Sequence, residues 1–416
     1  MRDPRPQNRA ARRRARHRRR GLRQRQGVLA ALSASALLLP GLARAQEERW
    51  SMDYSFSLYS EDELDSSKLN AGDAERYEIS THQLSLQGPL TGRMDLGIDF
   101  AYETMTGATP WYIEQNVDGD PVVVMTAASI EEQRTDFLGR GTYYFDTSRL
   151  KLSSGYSTED DYSAINFGFG TEHDFNDKNT TLSWGFGTSL DTLDPQPTDV
   201  NLNPSEEDKR TISLFAGWSQ VINRSSAFQA IFNYQNGSGF LSDPYKLVSV
   251  AGANIPDDRP DSRNQFAFMV RYRRHFSSIT GSLHLDYRYY FDDWDVNSHT
   301  VELAWYQSLF DVVQVIPSVR YYTQSQADFY GPYFVAALDP GDHVTSDYRL
   351  SPYGAVSGKL RVETRISDWP FHMAWRLGAS FERYQSSGSL AVQSVDLENP
   401  ALVSFNVIMI NLSARF

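Results

Sequence analysis

Two short runs of acidic residues are the first features of the sequence that could do chemistry. The runs are Glu159-Asp160-Asp161 and Asp292-Asp293-Trp294-Asp295. Closely spaced carboxylates can hold a calcium ion through several oxygen atoms, but neither run has the glycine and the ligand spacing of a calcium-binding loop. A solvated acidic loop tip explains both runs more simply. We therefore assign no metal site and no cofactor.

Catalysis by histidine is the second possibility. The histidines are scattered over separate segments, at His82, His173, His284, His299, His343 and His372. No Gly-x-Ser-x-Gly motif supplies a nucleophile. His284, two residues before Asp286, is the best candidate for a general base, but a polar side chain facing the lumen explains it more simply. We therefore predict no catalytic residues, and we expect that the protein is not an enzyme.

A third group of charged residues divides by sign along the chain. The early members are acidic, namely Asp53, Glu78, Asp95, Asp99 and Glu103, and the later members are basic, namely Arg271, Arg273, Arg288, Arg320, Arg349, Lys359 and Arg361. Arg134 and Arg140 interrupt the division. We predict that the acidic and the basic members point into the lumen from strands on opposite walls, where such rows of charge would select the polar solutes that pass through the water. Ion pairs that only stabilise the fold are the alternative.

The segments that carry these charges alternate between apolar and polar residues. Met94, Leu96 and Ile98 form one face, for example, while Asp95 and Asp99 lie on the other. A soluble sandwich would also alternate, but here the apolar faces end in aromatic residues, as at the two interfaces of a membrane barrel. After residue 46 no apolar run reaches the length of a membrane helix. In lipid, alternating strands are stable only in a closed barrel, because every backbone polar group must find a partner.

The lengths of the connections give an independent estimate of the strand count. Short links are predicted near residues 87–92, 146–149, 175–179, 223–226, 276–279, 310–313 and 365–370. Longer or polar links are predicted near residues 60–75, 104–130, 157–163, 191–209, 236–264, 291–297, 326–347 and 385–402. These fifteen links join sixteen strands, with a working range of fourteen to eighteen. The sequence therefore predicts an all-β, transmembrane, antiparallel up-and-down barrel with periplasmic turns and external loops.

The N-terminus has the layout of a cleavable secretion signal. Arginines crowd the first 25 residues, an apolar run follows, and a small-residue site ends at Ala45. We assign residues 1–45 to the signal peptide and residues 46–416 to the barrel. The signal holds 13 arginines and one aspartate, a net charge of +12, so its removal changes the formal charge from −12 to −24. An exported chain this acidic is not expected to bind nucleic acid, and with no cysteine it has no disulfide.

The C-terminus resembles the signal by which outer-membrane barrels are handed to the insertion machinery. Ile408, Ile410, Leu412, Ala414 and the terminal Phe416 lie on one face of a last predicted strand. An ordinary apolar edge strand is the alternative. The two ends together predict the outer membrane of a Gram-negative bacterium, with outer-membrane lipid and the insertion machinery as partners.

Several longer motifs resemble an uncharacterised outer-membrane family, catalogued as domain of unknown function 3570. They are Gly107-Ala108-Thr109-Pro110-Trp111, residues 157–162, residues 239–246, Tyr287-Arg288-Tyr289-Tyr290 with residues 292–294, and residues 320–325 with residues 327–330. The resemblance covers nearly the whole mature chain. It implies a barrel but carries no established activity.

The same motifs fall on the external side of the predicted barrel. We take as candidate rim residues Trp111, Glu159, Asp160, Asp161, Tyr162, Asp243, Tyr245, Asp292, Asp293 and Trp294. These residues either order the loops by mutual hydrogen bonds and ion pairs or form an external docking or constriction site. The leading expectation for function is passage of small polar solutes through a porin-like barrel. A scaffold or receptor that binds an external ligand is the first alternative, and a barrel enzyme is the second. The sequence names neither the solute nor an external partner.

Overall fold

A closed antiparallel barrel of sixteen strands dominates the computed structural model, which describes residues 49–126, 130–197, 204–310, 312–366 and 373–416. Its strands are β1 (Ser51–Glu61), β2 (Glu78–Thr91), β3 (Met94–Gly107), β4 (Ile130–Tyr144), β5 (Ser148–Thr158), β6 (Tyr162–Phe175), β7 (Thr180–Leu193), β8 (Glu207–Asn223), β9 (Ser226–Gly239), β10 (Ser262–Phe276), β11 (Gly281–Asp292), β12 (Asn297–Leu309), β13 (Val313–Gln324), β14 (Tyr353–Ile366), β15 (Ala374–Ser387) and β16 (Ser404–Arg415). Consecutive strands pair, and β1 closes on β16. The predicted fold and strand number are therefore confirmed. The predicted signal peptide, residues 1–45, and His372 lie outside the described residues.

The alternation of side chains along each strand decides which face meets lipid. In β7, Trp184 is 51% exposed on the outer face, whereas the neighbouring Ser183 on the inner face is 6% exposed. A methyl group added at Gly185, also on the inner face, would collide with the Phe215 ring of β8. The lumen is thus closely packed beside β7. The outer faces of the other strands carry exposed apolar residues in the same way, which gives the barrel its lipid-facing band.

The described connections alternate between the two ends of the barrel, as predicted. Short turns, such as residues 145–147 and 224–225, join the strands at one end. Most links at the other end are long loops, but residues 159–161 and 293–296 are turns of three and four residues. In bacterial barrels the end with short turns faces the periplasm. Among the described residues no helix is long and apolar enough to cross a membrane.

Glu78 was wrongly predicted to face the lumen. It shares a face of β2 with Leu84 and Leu86, which point away from the lumen. Its register partners are Ser60 and Thr106, at the loop end of the barrel, where an outward charge meets water or lipid headgroups. The prediction failed because the only apolar residue at the start of β2, Ile79, lies on the inner face, so alternation does not identify that face correctly.

Arg349 was wrongly placed on a strand. It lies in a short 3-10 helix, Tyr348–Leu350, and β14 begins only at Tyr353. The Asp347 side chain caps this helix by accepting a hydrogen bond from the Arg349 backbone N–H. Pro352 then separates the helix from the strand, because proline has no N–H to donate to the sheet.

The long loops fold against one another at the external end. Two sheets form there, one from Leu69–Ala71, Pro110–Gln115 and Pro121–Met125, the other from Leu247–Val250 and Ala253–Pro256. Apolar clusters join different loops, such as the one that contains Leu64, Val123 and Ala401. We call the described loop residues 62–77, 108–126, 240–261, 325–352 and 388–403 the cap.

The cap restricts where an epitope tag can be inserted. Val117 and Gly252 lie at exposed hairpin tips, so tags placed there should leave the cap folded and be labelled on intact cells. A tag at Arg224, in a short turn, should be labelled only after the outer membrane is permeabilised. Whole-cell antibody labelling checks this, and labelling at Arg224 with both tips protected would mean that the orientation is inverted.

Candidate functional site

Most predicted lumen charges on the strands have a partner on the same or a neighbouring strand. The ion pairs include Asp99 with Arg140 at 2.7 Å, Arg271 with Asp286 at 3.6 Å, Arg273 with Asp286, Lys359 with Glu382 at 3.6 Å, and Arg361 with Glu363 at 2.5 Å. The basic side of the lumen therefore carries its own carboxylates, Asp286, Glu363 and Glu382. Its net charge is smaller than the sequence pattern indicated, because the acidic partners on the same strands were not counted.

Arg288 and Arg320 differ from these paired arginines. Both face the lumen, from β11 and β13, and both are exposed to solvent. Within the described part of the chain neither has a carboxylate at ion-pair distance, and Arg288 lies over the Tyr290 ring at 5.7 Å. Glu302, the register partner of Arg320, also faces inward and is exposed. Solvent therefore fills the lumen at this level.

His284 has surroundings that do not favour a general base. Its ring stacks on Tyr306, with the ring centroids 4.0 Å apart. The nearby Asp286 is engaged by Arg271 and Arg273 and therefore cannot orient the imidazole as the carboxylate of a catalytic triad does.

The candidate rim residues are mostly buried inside the cap. Tyr245 donates a hydrogen bond from its hydroxyl to Asp161 and accepts one from the Gln196 backbone N–H at 2.9 Å. Arg263 pairs with Asp292 and lies 4.3 Å from the centre of the Trp294 ring.

The other rim positions also contact their neighbours. Asp293 accepts a hydrogen bond from the Asn264 backbone N–H, and Trp111 packs edge-on against Tyr112. Tyr162 packs with Ala164, whereas Asp160 is exposed. These hydrogen bonds, ion pairs and ring contacts are typical of residues that order loops.

Three carboxylates converge where the loop between β5 and β6 meets β4. Single oxygen atoms of Glu132, Glu159 and Asp161 all lie within 4.8 Å of one another. Burial raises the pKa of Glu159 to about 7, and Arg134 lies 3.7 Å away. The arginine offsets part of the negative charge, and we assign no metal here. The sequence run indicated Glu159 and Asp161, but Glu132 is distant in sequence and was missed.

A buried network of ions joins two cap loops. It contains three acids and three bases, Asp243, Lys246, Asp257, Arg259, Asp347 and Arg349. Arg259 is 2.7 Å from Asp257 and 2.9 Å from Asp347, which is itself fully buried. Burial alone would raise the pKa of Asp347, but Arg349, Lys246 and Arg259 together hold it well below its usual value. Asp347 is therefore a buried anion whose charge is balanced by its neighbours.

A cavity of about 490 Å³ lies between this network and the barrel wall. One side is the inner face of β8 to β11, and the other is the cap segment 240–245. Its apolar lining includes Phe215, Phe240, Met269 and Trp294, and Arg288 also lines it. Its volume is in the range of pockets that bind small molecules.

The comparisons with solved structures concern the fold. A bacterial polysaccharide outer membrane secretin is 12% identical, with 89% of this chain and 100% of that chain covered and a TM-score of 0.45. CdiB from Acinetobacter baumannii is 9% identical, with 88% and 60% covered and a TM-score of 0.49. The CymD monoaromatic hydrocarbon channel is 10% identical, with 89% of each chain covered and a TM-score of 0.41. At these identities the similarity indicates no activity.

No curated protein sequence matches the chain significantly. The chain is an outer-membrane β-barrel by its closed sixteen-strand fold and its exposed apolar band. The model of a family described as a protein of unknown function, DUF3570, matches residues 29–406, and the chain belongs to that family.

Proposed function

We propose that the protein is a porin-like channel that passes small polar solutes across the outer membrane. One observation carries the proposal: Arg288, Arg320 and Glu302 face the inside of the barrel and yet remain exposed to solvent. A charged side chain retains its water only where the interior is wet, and a wet barrel interior is the path that a polar solute needs.

Arg288 and Arg320 are the residues that should bias this path by charge. The other lumen arginines of β10 and β14 are paired with carboxylates, so their fields are partly cancelled. A charge in a confined lumen is screened less than one on an open surface, so its sign influences which ions enter. The two arginines should therefore favour anions relative to a barrel that lacks them.

Reversing both charges provides the test. In the double variant Arg288→Glu/Arg320→Glu, the reversal potential measured in a planar bilayer under a salt gradient should shift toward cation preference. Arg224→Glu makes half of this charge change in a periplasmic turn and should produce much less than half of the shift. A shift of half the size or more in Arg224→Glu would show that the net charge of the protein, and not the lumen, sets the preference.

A receptor or scaffold that does not transport is the second candidate, and the cap favours it. The packed loops present a preformed external surface that an open pore would not need. A correctly folded barrel with no conductance, in the wild type and the double variant alike, would reject the channel and leave the receptor.

A further inference from the structure

The cavity between the cap and the wall of β8 to β11 has the chemistry of a solute-binding site. Its apolar lining includes flat aromatic rings from both sides, Phe215 from the barrel and Phe240 from the cap, while the buried Trp294 behind them is covered by Arg263. Stacking on such rings favours a ligand with a flat apolar body. The lining thus favours an aromatic ligand over a hydrated sugar or a bare ion.

The charged groups around the cavity set the sign of that ligand. Lys209 pairs with Asp191, Arg259 with Asp257 and Asp347, and Arg263 with Asp292. Asp243 pairs with Arg349, and Asp161 accepts the hydrogen bond of Tyr245. Of the lining cations, Arg288 alone has no carboxylate partner among the described residues.

The position of Arg288 makes this charge available. Arg288 is exposed on the inner face of β11, and Tyr290, two residues further along the same face, also lines the cavity. A ligand could place its ring among the aromatic side chains and its anionic group at the guanidinium. An arginine fork matches the two oxygen atoms of a carboxylate, which makes a carboxylate the best-fitting anion.

We infer that the cavity binds a small aromatic monocarboxylate, held by Arg288 and by the rings of Phe215 and Phe240. The inference deepens the proposed channel function, on which it rests, by naming the class of solute that pauses in the lumen.

The test is isothermal titration of the purified barrel in detergent with phenylacetate, set against its uncharged analogue phenylacetamide and against empty micelles. The wild type should bind phenylacetate more tightly than phenylacetamide. In Arg288→Met the affinity for phenylacetate should fall about tenfold or more, because a charge-assisted bond is lost, while the weak binding of phenylacetamide is unchanged. Arg376→Met removes another exposed, inward-facing arginine, which does not line the cavity, and should leave both affinities unchanged.

A second variant tests the place of binding. Ala267 is buried and lines the cavity from β10, so Ala267→Phe should fill the space and abolish binding of both compounds in a barrel that still migrates as folded. The inference is overturned if the folded wild type does not bind phenylacetate, or if Arg288→Met binds it as tightly as the wild type. If the barrel conducts ions but does not bind phenylacetate, only this inference is rejected. If the barrel binds phenylacetate but does not conduct ions, only the channel function is rejected.

Discussion

Deletion of Phe416 should remove most of the inserted protein from the outer membrane while leaving export intact. Phe416 follows the last strand and makes one backbone hydrogen bond to the Trp50 carbonyl, at 3.0 Å, and its side chain is 46% exposed. One terminal hydrogen bond contributes about 0.5–1.5 kcal/mol to folding, which is too little to unfold sixteen paired strands. A large loss of inserted protein would therefore have to arise from recognition during assembly. The heat-modifiable form in outer-membrane fractions is the quantity to measure.

Two comparisons separate recognition from stability. Purified protein without Phe416, refolded in detergent, should regain heat-modifiable migration like the wild type. Phe310→Ala removes another exposed phenylalanine at the periplasmic end and should insert normally. Normal insertion of the truncated protein would reject the assembly signal, and failure to refold in detergent would make its effect one of stability.

Replacement of Asp347 by alanine should release the cap and leave the barrel closed. The variant removes the buried carboxylate that Arg259 and Arg349 both contact, and leaves three cations of the network facing only Asp243 and Asp257. Removing one partner of a buried ion pair costs about 3–5 kcal/mol. This is a large share of the folding free energy of a small packed unit such as the cap. The barrel ladders do not involve Asp347, so they should persist. Limited proteolysis of outer membranes should cut the cap loops much faster, with heat-modifiable migration unchanged.

Asp258→Ala is the matched control for this change. Asp258 is one residue from the network, and its side chain is 61% exposed and pairs with His343 at 3.2 Å. An exposed pair of this kind contributes about 0–1 kcal/mol, so the cap should resist the protease as in the wild type. Equal protection of the Asp347→Ala cap would show that the apolar clusters alone hold the loops together.

The barrel could be predicted because the alternation of apolar and polar side chains is a local property of each strand's sequence. A strand whose faces alternate as clearly as those of β7, with Leu182 and Trp184 on one side and Ser183 on the other, identifies both its element and its inner face. Before Leu84 in β2 the alternation does not identify the inner face of the strand, and Glu78 was therefore misplaced. The short turns were located because they interrupt the alternation at regular intervals.

The cap and the cavity could not be predicted, because they depend on contacts between distant residues. Asp243 and Arg349 belong to different loops, and nothing near either of them in the sequence indicates their pairing. Arg288 and Arg271 looked equivalent in the sequence. Only the register of β10 against β11, which sets Arg271 opposite Asp286, shows that one is paired and the other is not.

The seam between β1 and β16 also has a kinetic consequence. Ser51 pairs with Arg415, and the ladder continues to Glu61 with Phe405, so the first and last strands must find each other across almost the whole described chain. Joining such distant segments costs loop-closure entropy before contacts between the two strands can offset that cost. Folding is therefore slow. Until the seam forms, both edges are unpaired and the apolar band is exposed, which are the conditions for aggregation. Folding without assistance should therefore compete poorly with aggregation, and a carrier that shields the unfolded chain in transit should raise the yield of closed barrels more than any single stabilising contact.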